Sequence, residues 1–345
     1  MNGSSGVEVG HKSRQVYYSV RGETGTVIRA THLDTRFSRD LVKLPFYAVF
    51  NGINADETVV VGTINERGSS VQRTVSTDNG GNDPGRVNPA ETNRRSFAAR
   101  ANVPRKMKFY AANIKTGEVK FFNPSTNWLN HVQCSPSDPS LMLYCHEGPW
   151  HEVDRVWTLR IGGDTPKLMH QRTMPYEIAG HEFFGHDGEW VWYDLQTPRS
   201  KEFWLAGVNV KTSERVRYAL ERAEWSVHYN VSPDGKVFAG DGGGPDSVAN
   251  KTPMPENKRM SPSANGQWIY LFRPSSNFTT NIVANEPVRV GRLVSEKLVD
   301  LSKHDYRLEP NLTFTPDGKW IVFRSNMEGE RHVYAVEVAK KQTSK

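Results

Sequence analysis

A short turn followed by an apolar strand recurs along this chain, and this repeat limits the folds that the chain can adopt. The clearest copies are the Pro-Asp-Gly-Lys turns at 233–236 and 316–319, each followed by a run of β-branched and aromatic residues. Weaker copies lie at 187–192, 265–270 and 55–61. Proline, aspartate and glycine supply turn dihedrals, and bulky residues suit a pleated surface. Each copy is therefore expected to be a hairpin turn that enters a strand.

A second pattern alternates with the first one, and it consists of a strand, a polar turn and another strand. It occurs at 110–119 and 205–216, and no helical stripe of any length accompanies it. Two hairpins in succession make a four-stranded blade, and the 47 residues from Asp187 to Asp234 match the roughly 40 to 50 residues of one blade. The sequence predicts an all-β chain, a β-propeller of four-stranded blades, with about five or six clear units where closure takes four to eight blades.

Residues 1–345 are expected to form a single propeller domain with polar loop insertions at about 69–105 and 242–264. Strand-like sequence begins already at 13–20, so the N-terminus looks shortened and fewer complete blades are expected. No apolar run approaches the roughly 20 residues that span a bilayer. The first 20 residues do not resemble a signal sequence, which predicts a cytoplasmic protein without a membrane partner.

Charge and cysteine content narrow the classes of partner. The formal net charge of +6 favours an anionic partner, but no nucleic-acid-binding motif is present, so an acidic carbohydrate is the better prediction. The chain has two cysteines, Cys134 and Cys145. They are interpreted as buried small apolar residues and not as a redox pair.

Five histidines lie at comparable points of the repeat, which predicts one shared site because equivalent blade positions converge on a common axis. They are His131, His146, His151, His181 and His228. The stretch 146–157 also holds three carboxylates, one guanidinium and two indoles. In the alternative interpretation, Arg155 pairs with Asp154 or Glu152 and the indoles fill the interfaces between blades.

These motifs resemble those of a known family. Cys-His-Glu-Gly-Pro at 145–149, Val-Asp-Arg-Val-Trp at 153–157, His181 followed by Glu-Phe, and His228 ahead of a turn resemble the oligogalacturonate lyases, polysaccharide lyase family 22. The resemblance covers the chain from about residue 130 to its end. It implies a seven-bladed β-propeller, a carbon-oxygen lyase that cleaves short galacturonate oligosaccharides from pectin by β-elimination with a manganese-type divalent metal.

The resemblance also implies roles for particular residues. It makes His181 the Brønsted base, Arg155 the arginine near the reacting uronate, and His228 a metal-binding histidine. The family has a Q-x-x-H-x-H pattern near its C-terminus, whereas this chain has Glu309 and Asn311 at the two histidine positions. Carboxylate and amide oxygens still bind a hard divalent ion. Metal binding, with Mn²⁺ as the expected ion, is therefore predicted at His228, Glu309 and Asn311, with a contribution from His304.

The remaining candidates are expected to line substrate subsites, and they are His131, His146, Glu147 and Trp150. Two other functions stay open. One is a non-catalytic propeller of the TolB type that binds protein partners, and the other is a truncated or diverged lyase that acts on a different uronide. A peptidase is disfavoured because the chain lacks a Gly-x-Ser-x-Gly nucleophile elbow.

Overall fold

The computed structural model describes residues 6–10, 12–66, 103, 105–244 and 267–339. These ranges hold 24 strands and one short 3-10 helix at Arg222–Glu224, and no α-helix is described in them. Consecutive strands pair antiparallel in blade after blade. The prediction of an all-β propeller with four-stranded blades is confirmed.

Three four-stranded sheets come first, each in chain order. Their strands are β1 (Val7–Val9), β2 (Gln15–Arg21), β3 (Thr26–His32) and β4 (Ser38–Lys43); β5 (Val49–Ile53), β6 (Val59–Asn65), β7 (Met107–Asn113) and β8 (Val119–Ser125); and β9 (Trp128–Cys134), β10 (Leu141–Glu147), β11 (Val156–Arg160) and β12 (Lys167–Leu168).

The later sheets share one long strand, and the last of them has three strands in the described residues. Their strands are β13 (Ile178–Phe184), β14 (Trp190–Gln196), β15 (Phe203–Asn209) and β16 (Arg215–Leu220); β17 (Tyr229–Val231), β18 (Phe238–Gly240), β19 (Trp268–Pro274), β20 (Thr279–Val283) and β21 (Glu286–Asp300); and β22 (Thr313–Phe314), β23 (Trp320–Ser325) and β24 (His332–Glu337). The first half of β21 pairs with β20 and β16, and its second half is the fourth strand beside β19.

The described chain divides into two compact units. The first comprises Met1–Pro149 and Trp157–Lys167, and the second comprises Trp150–Val156 and Leu168–Lys345. A single domain over residues 1–345 stays a prediction. The predicted insertions at about 69–105 and 242–264 lie almost entirely outside the described residues. Within the described part of the chain, no helix is long and apolar enough to cross a membrane.

The turns that the sequence repeat predicts have the expected local chemistry. Gly235 and Gly318 adopt left-handed φ values of 70° and 68°, which glycine tolerates without a steric penalty. The polar turns of the second pattern are Asx turns. The side-chain oxygen of Asn113 accepts from the amides of residues 115 and 116, and that of Asn209 accepts in the same way from residues 211 and 212.

Apolar faces of the strands pack into separate cores within each unit. In the first unit the ring of Phe109 lies edge-on to Tyr144 with centroids 5.0 Å apart. In the second unit Trp192 and Phe238 pack in the same manner at 4.8 Å. Edge-to-face pairs of this kind add about 0.5–1.5 kcal/mol beyond the burial of their area.

One buried carboxylate ties the core of the second unit together. Asp194 on β14 is 0% exposed; its two oxygens accept from Trp225 Nε1 at 2.8 Å and from Gln196 Nε2 at 3.2 Å. Gln196 in turn accepts from the backbone amide of Ser200 at 2.8 Å. Burial raises the pKa of Asp194 to about 7, although both hydrogen bonds act to lower it.

We expect Asp194→Asn to remove one component of the pH dependence of stability. A carboxyl with a raised pKa binds more protons in the folded state than in the unfolded one, so its contribution declines as pH rises from about 4 to about 7. Over that range the contribution falls by about 4 kcal/mol. The measurement is urea unfolding followed by tryptophan fluorescence at several pH values.

The control for this experiment is Asp234→Asn, because Asp234 is an exposed turn residue whose carboxylate accepts from Ser232 Oγ. That variant is expected to keep the decline between pH 4 and 7. Parallel profiles for the wild type and Asp194→Asn would contradict the assignment.

Candidate functional site

Two of the predicted site histidines occupy the same position in their sheets. Between β9 and β10, His131 and Val132 lie opposite the single residue Tyr144, and between β13 and β14, His181 and Glu182 lie opposite Tyr193. Both irregularities are β-bulges, in which two residues of one strand lie opposite one residue of its partner. A bulge changes the direction in which the side chains point. His131 and His181 both adopt left-handed φ values, 48° and 52°. A non-glycine residue pays of order 1–3 kcal/mol for this conformation.

In the second unit, His181 belongs to a continuous row of side chains. The guanidinium carbon of Arg155 lies 4.4 Å above the ring of Trp150. The ring of Trp150 lies edge-on to His181 at 5.0 Å, and His181 lies edge-on to His228 at the same distance. Four residues that the sequence analysis singled out are therefore in sequential contact, and we call them the Arg155–His228 row.

Burial within the row is uneven. Arg155 is only 1% exposed, whereas Trp150, His181 and His228 are half-buried. A cation–π contact that is shielded from water is worth about 2 kcal/mol or more. Gly180 makes the close packing possible, because a Cβ at that position would lie 2.5 Å from the Trp150 ring.

A buried carboxylate orients His228. Asp241 is 0% exposed; its Oδ2 lies 2.9 Å from His228 Nδ1 and its Oδ1 accepts from the backbone amide of His228 at 2.8 Å. With Nδ1 donating to this carboxylate, Nε2 carries the lone pair, and it lies 3.9 Å from Glu309 Oε2. A carboxylate behind an imidazole is the arrangement that commonly fixes a metal-binding histidine.

Asp241 also holds the segment that carries Glu309 and Asn311. Its Oδ2 accepts from the backbone amide of Asn311 at 3.1 Å, and its carbonyl oxygen accepts from the hydroxyl of Tyr306 at 3.0 Å. Asn311 has a left-handed φ of 49°, and its side-chain nitrogen donates to the carbonyl of Glu309 at 3.4 Å. The ligand atom of Asn311 would thus be its amide oxygen.

These donors fit a hard divalent cation. An imidazole nitrogen and a carboxylate oxygen 3.9 Å apart can both contact one ion at the 2.0–2.6 Å typical of Mg²⁺ and Ca²⁺ ligands. Burial alone would lower the pKa of His228, but the charges of Asp241 and Glu309 outweigh burial and raise that pKa above its ordinary value of 6.5. The same negative charges attract a cation.

His304 does not join this group, and the expectation that it contributes a ligand is wrong. Its Nδ1 is bonded to Ser325 Oγ at 2.8 Å and its Nε2 to the carbonyl of Leu308 at 2.6 Å. Because both ring nitrogens are occupied, the imidazole has a structural role. It fastens the loop before β22 to the end of β23.

Arg172 holds the segment that follows Trp150. Its Nε bonds Asp154 Oδ1 at 3.1 Å, and its terminal nitrogens donate to the carbonyls of His151 and Glu152. The ring of His151 stacks on Tyr176 at 5.8 Å. Of the five histidines, His151 is therefore placed by contacts outside the Arg155–His228 row.

The first unit contains a second polar cluster. His131 Nε2 lies 3.5 Å from Glu147 Oε2, and Cys145 Sγ lies 3.8 Å from the same oxygen. Glu147 Oε2 also accepts from Asn130 Nδ2 at 2.9 Å. We call His131, Cys145 and Glu147 the β9–β10 cluster. His146 points elsewhere, and its ring packs against Trp157 at 4.8 Å.

Most of this chain matches a model of a known protein family. The family model described as oligogalacturonate lyase matches residues 97–342. The chain belongs to the oligogalacturonate lyase family. This match includes every residue of the Arg155–His228 row and of the β9–β10 cluster.

Two curated members of the oligogalacturonate lyase family are similar in sequence. The oligogalacturonate lyase of Dickeya dadantii (strain 3937) is 26% identical over 226 residues, which are 65% of this chain and 54% of that protein. The oligogalacturonide lyase of Pectobacterium atrosepticum is 24% identical over 227 residues, with the same coverage. The chain spans about half the length of the curated relatives it matches.

Solved structures of family members share the fold. An oligogalacturonate lyase in complex with manganese has a TM-score of 0.69 at 20% identity, and the match covers 98% of this chain and 78% of that one. The oligogalacturonate lyase of Vibrio parahaemolyticus has a TM-score of 0.68 at 20% identity, covering 96% of this chain and 76% of that one. At this identity the likeness establishes the propeller fold.

Sequence reasoning about this family member missed two residues. No sequence motif marks Asp241 as a functional residue. It follows an apolar strand and lies among glycines, where an aspartate is expected to be an ordinary turn residue. Cys145 was interpreted as a buried apolar residue; it is fully buried and unbridged, but its thiol also faces Glu147. Cys145 and Glu147 lie two positions apart on one strand, so their side chains share a face, and this spacing could have indicated the contact.

We expect Asp241→Asn to lower the pKa of His228. The variant removes the larger of the two charges that raise this pKa, while burial and the charge of Glu309 stay. The measurement is a proton NMR titration of the histidine ring in chelator-treated protein. Asp305→Asn, which alters a carboxylate hydrogen-bonded to Arg307, is the control and should leave the pKa of His228 unchanged. An equal shift in both variants would contradict the pairing.

Proposed function

We propose that this protein is an oligogalacturonate lyase that cleaves short galacturonate oligosaccharides by metal-assisted β-elimination. The observation that carries the proposal is the Arg155–His228 row, in which a buried cation, an indole, a histidine and a second histidine that is bonded to a carboxylate follow one another in contact. Membership of the oligogalacturonate lyase family supports the substrate class. The net charge of +6 suits an anionic oligosaccharide.

His181 is the proposed base. β-Elimination removes the proton at C5 of the uronate, forms the C4–C5 double bond and expels the sugar oxygen from C4. A neutral imidazole can take that proton at neutral pH, because its ordinary pKa lies near 6.5. His181 lies in the bulge of β13, the first strand of its sheet. It is half-buried and contacts Trp150 and His228, its neighbours in the row.

We propose that His228, Glu309 and Asn311 hold the divalent cation, and that this ion is Mn²⁺. When bound, the ion supplies Lewis acidity that neutralises the uronate carboxylate and makes the C5 proton easier to remove. Asp241 keeps the His228 ring in one tautomer and one orientation. Glu309 contributes a negative charge where the resemblance expects a neutral histidine, which favours hard cations.

Arg155 and Trp150 act together in this proposal. Because Arg155 is 1% exposed, its charge acts on the developing negative charge through a water-poor environment, where electrostatic effects are strong. Trp150 separates the guanidinium from His181 and keeps both in place. Trp150 is half-buried, and its accessible part is the proposed contact for a sugar ring. Of the residues predicted as subsites, Trp150 is the one within the row, and His146 stays a prediction.

We expect His181→Ala to lower the rate of product formation by about 10²- to 10⁴-fold, the usual contribution of a general base. The measurement is the near-ultraviolet absorbance of the unsaturated uronate product from di- and trigalacturonate, in chelated protein with and without added Mn²⁺. His186→Ala is the control, because His186 is an exposed residue of the turn that follows the same strand.

Activity that requires Mn²⁺ and survives in His186→Ala but not in His181→Ala is the expected result. A His181→Ala variant within a few-fold of the wild type would contradict the role of the base. Absence of product from the wild type with every metal and oligomer would instead favour a different uronide substrate or a binding role.

A pair of glycine variants tests whether the packing of the row matters for activity. A Cβ at Gly180 would lie 2.5 Å from the Trp150 ring, and a Cβ at Gly207 would lie 2.5 Å from the Trp192 ring. Both alanine variants are expected to lose about 1–3 kcal/mol of stability through overpacking. Only Gly180→Ala is expected to lose lyase activity as well, by tenfold or more, because it displaces Trp150. Equal activity of the two variants would show that the position of Trp150 is not critical.

A further inference from the structure

We propose that the β9–β10 cluster binds a thiophilic divalent cation of the zinc type. Its ligands are His131 Nε2, Cys145 Sγ and Glu147 Oε2, three different donors contributed by two neighbouring strands of one sheet. This site is independent of the proposed lyase function. The substrate-binding role that the sequence predicted for His131 and Glu147 stays a prediction beside it.

The spacing of the donors supports one shared ion. The three ligand atoms lie within 4.8 Å of one another, with His131 to Glu147 at 3.5 Å and Cys145 to Glu147 at 3.8 Å. A tetrahedral zinc with Zn–S of about 2.3 Å and Zn–N or Zn–O of about 2.0–2.1 Å places its ligands about 3.3–3.6 Å apart. Side-chain adjustments of a few tenths of an ångström suffice around Glu147, whereas His131 Nε2 and Cys145 Sγ, which lie within 4.8 Å, would approach each other by up to about 1.3 Å.

The local backbone brings the donors together. Cys145 and Glu147 alternate along β10, so their side chains share one face of the strand. The bulge in β9 gives His131 its left-handed backbone. Asn130 donates to Glu147 Oε2 at 2.9 Å and so orients the carboxylate from outside the ligand set. Such outer partners typically contribute a factor of 10 to 100 in metal affinity.

Charge balance favours a dication at this position. Cys145 is 0% exposed and the side chain of Glu147 is 5% exposed. Burying an ionised thiolate beside an ionised carboxylate without a cation would therefore cost free energy. One dication with a thiolate, a carboxylate and a neutral imidazole gives a net charge of zero. Binding releases the proton of the thiol, so the apparent affinity should rise with pH.

The donor set also predicts which metal binds. A thiolate selects zinc-type ions, whereas the oxygen and imidazole donors of His228 and Glu309 suit hard cations such as Mn²⁺. The side chain of His131 is 37% exposed, so the cluster can be reached from solvent. Three protein ligands leave the fourth tetrahedral position for water.

Cobalt provides the test, because only Co²⁺ bound to a thiolate gives an intense near-ultraviolet charge-transfer band. Chelator-treated protein is titrated with Co²⁺ alone. We expect one equivalent to produce the band in the wild type, Zn²⁺ to displace it and Mn²⁺ to leave it in place. Cys134→Ser is the matched control, because Cys134 lies on β9 of the same sheet but is paired with Met142, outside the cluster.

The variants separate the ligands from their surroundings. Cys145→Ser should abolish the band, His131→Gln should weaken Co²⁺ binding by at least 100-fold, and Asn130→Ala should weaken it by about 10- to 100-fold. Zn²⁺ should raise the melting temperature of the wild type and of Cys134→Ser but not that of Cys145→Ser.

A wild-type protein without a thiolate–cobalt band, or a band that Cys134→Ser removes and Cys145→Ser keeps, would overturn the proposal. His131→Gln tests the site even where Cys145→Ser folds poorly, because His131 is partly exposed. The outcome is separable from that of the lyase assay. Loss of galacturonate cleavage in His181→Ala does not affect the cobalt band, and absence of the band says nothing about His181.

Discussion

The bulge in the first strand of a sheet is the constraint on which both candidate sites depend. In a regular antiparallel pair, neighbouring side chains alternate strictly between the two faces. The two-for-one pairing opposite Tyr144 and Tyr193 breaks that alternation and turns His131 and His181 away from the regular pattern. The left-handed backbone at these histidines costs free energy, and the regular pairing of the flanking strands offsets it.

Asp241 has a comparable role at the other end of the row. A fully buried carboxylate is tolerated only when its oxygens are bonded, and Asp241 accepts from both the backbone and the ring of His228 and from the backbone of Asn311. One side chain therefore joins the start of β17 to the segment before β22. This link explains how Glu309 can approach the His228 ring although 81 positions separate the two in the sequence.

Local sequence was sufficient to predict the turns, because Pro-Asp-Gly and Asn-x-x-Thr motifs encode their own hydrogen bonds. The motifs that resemble a known family also singled out His181 and His228, whose rings are in contact, while their roles stay predictions. Local sequence could not predict the contact of Asp241 with His228 or the approach of His131 to Glu147, because each of these contacts joins residues in or next to different strands. The approach of His131 to Glu147 depends on the bulge in β9, and only the paired strands fix the register there. The expectation that His304 binds the metal was wrong for a related reason. Its partner Ser325 lies at the end of β23, 21 positions along the chain.

Comparison of equivalent positions shows that one backbone arrangement carries two different sets of side chains. Counting from the tyrosine opposite each bulge, Cys145 and Glu147 on β10 correspond to Asp194 and Gln196 on β14. Asp194 is bonded to the indole of Trp225 and to Gln196, which keeps it in a purely structural network. His181 turns instead toward Trp150 and His228. In the third sheet the histidine, thiol and carboxylate face one another. The same bulge can therefore carry the proposed base in one sheet and a proposed metal ligand in another, and the residues one and three positions after the facing tyrosine differ between the two sheets.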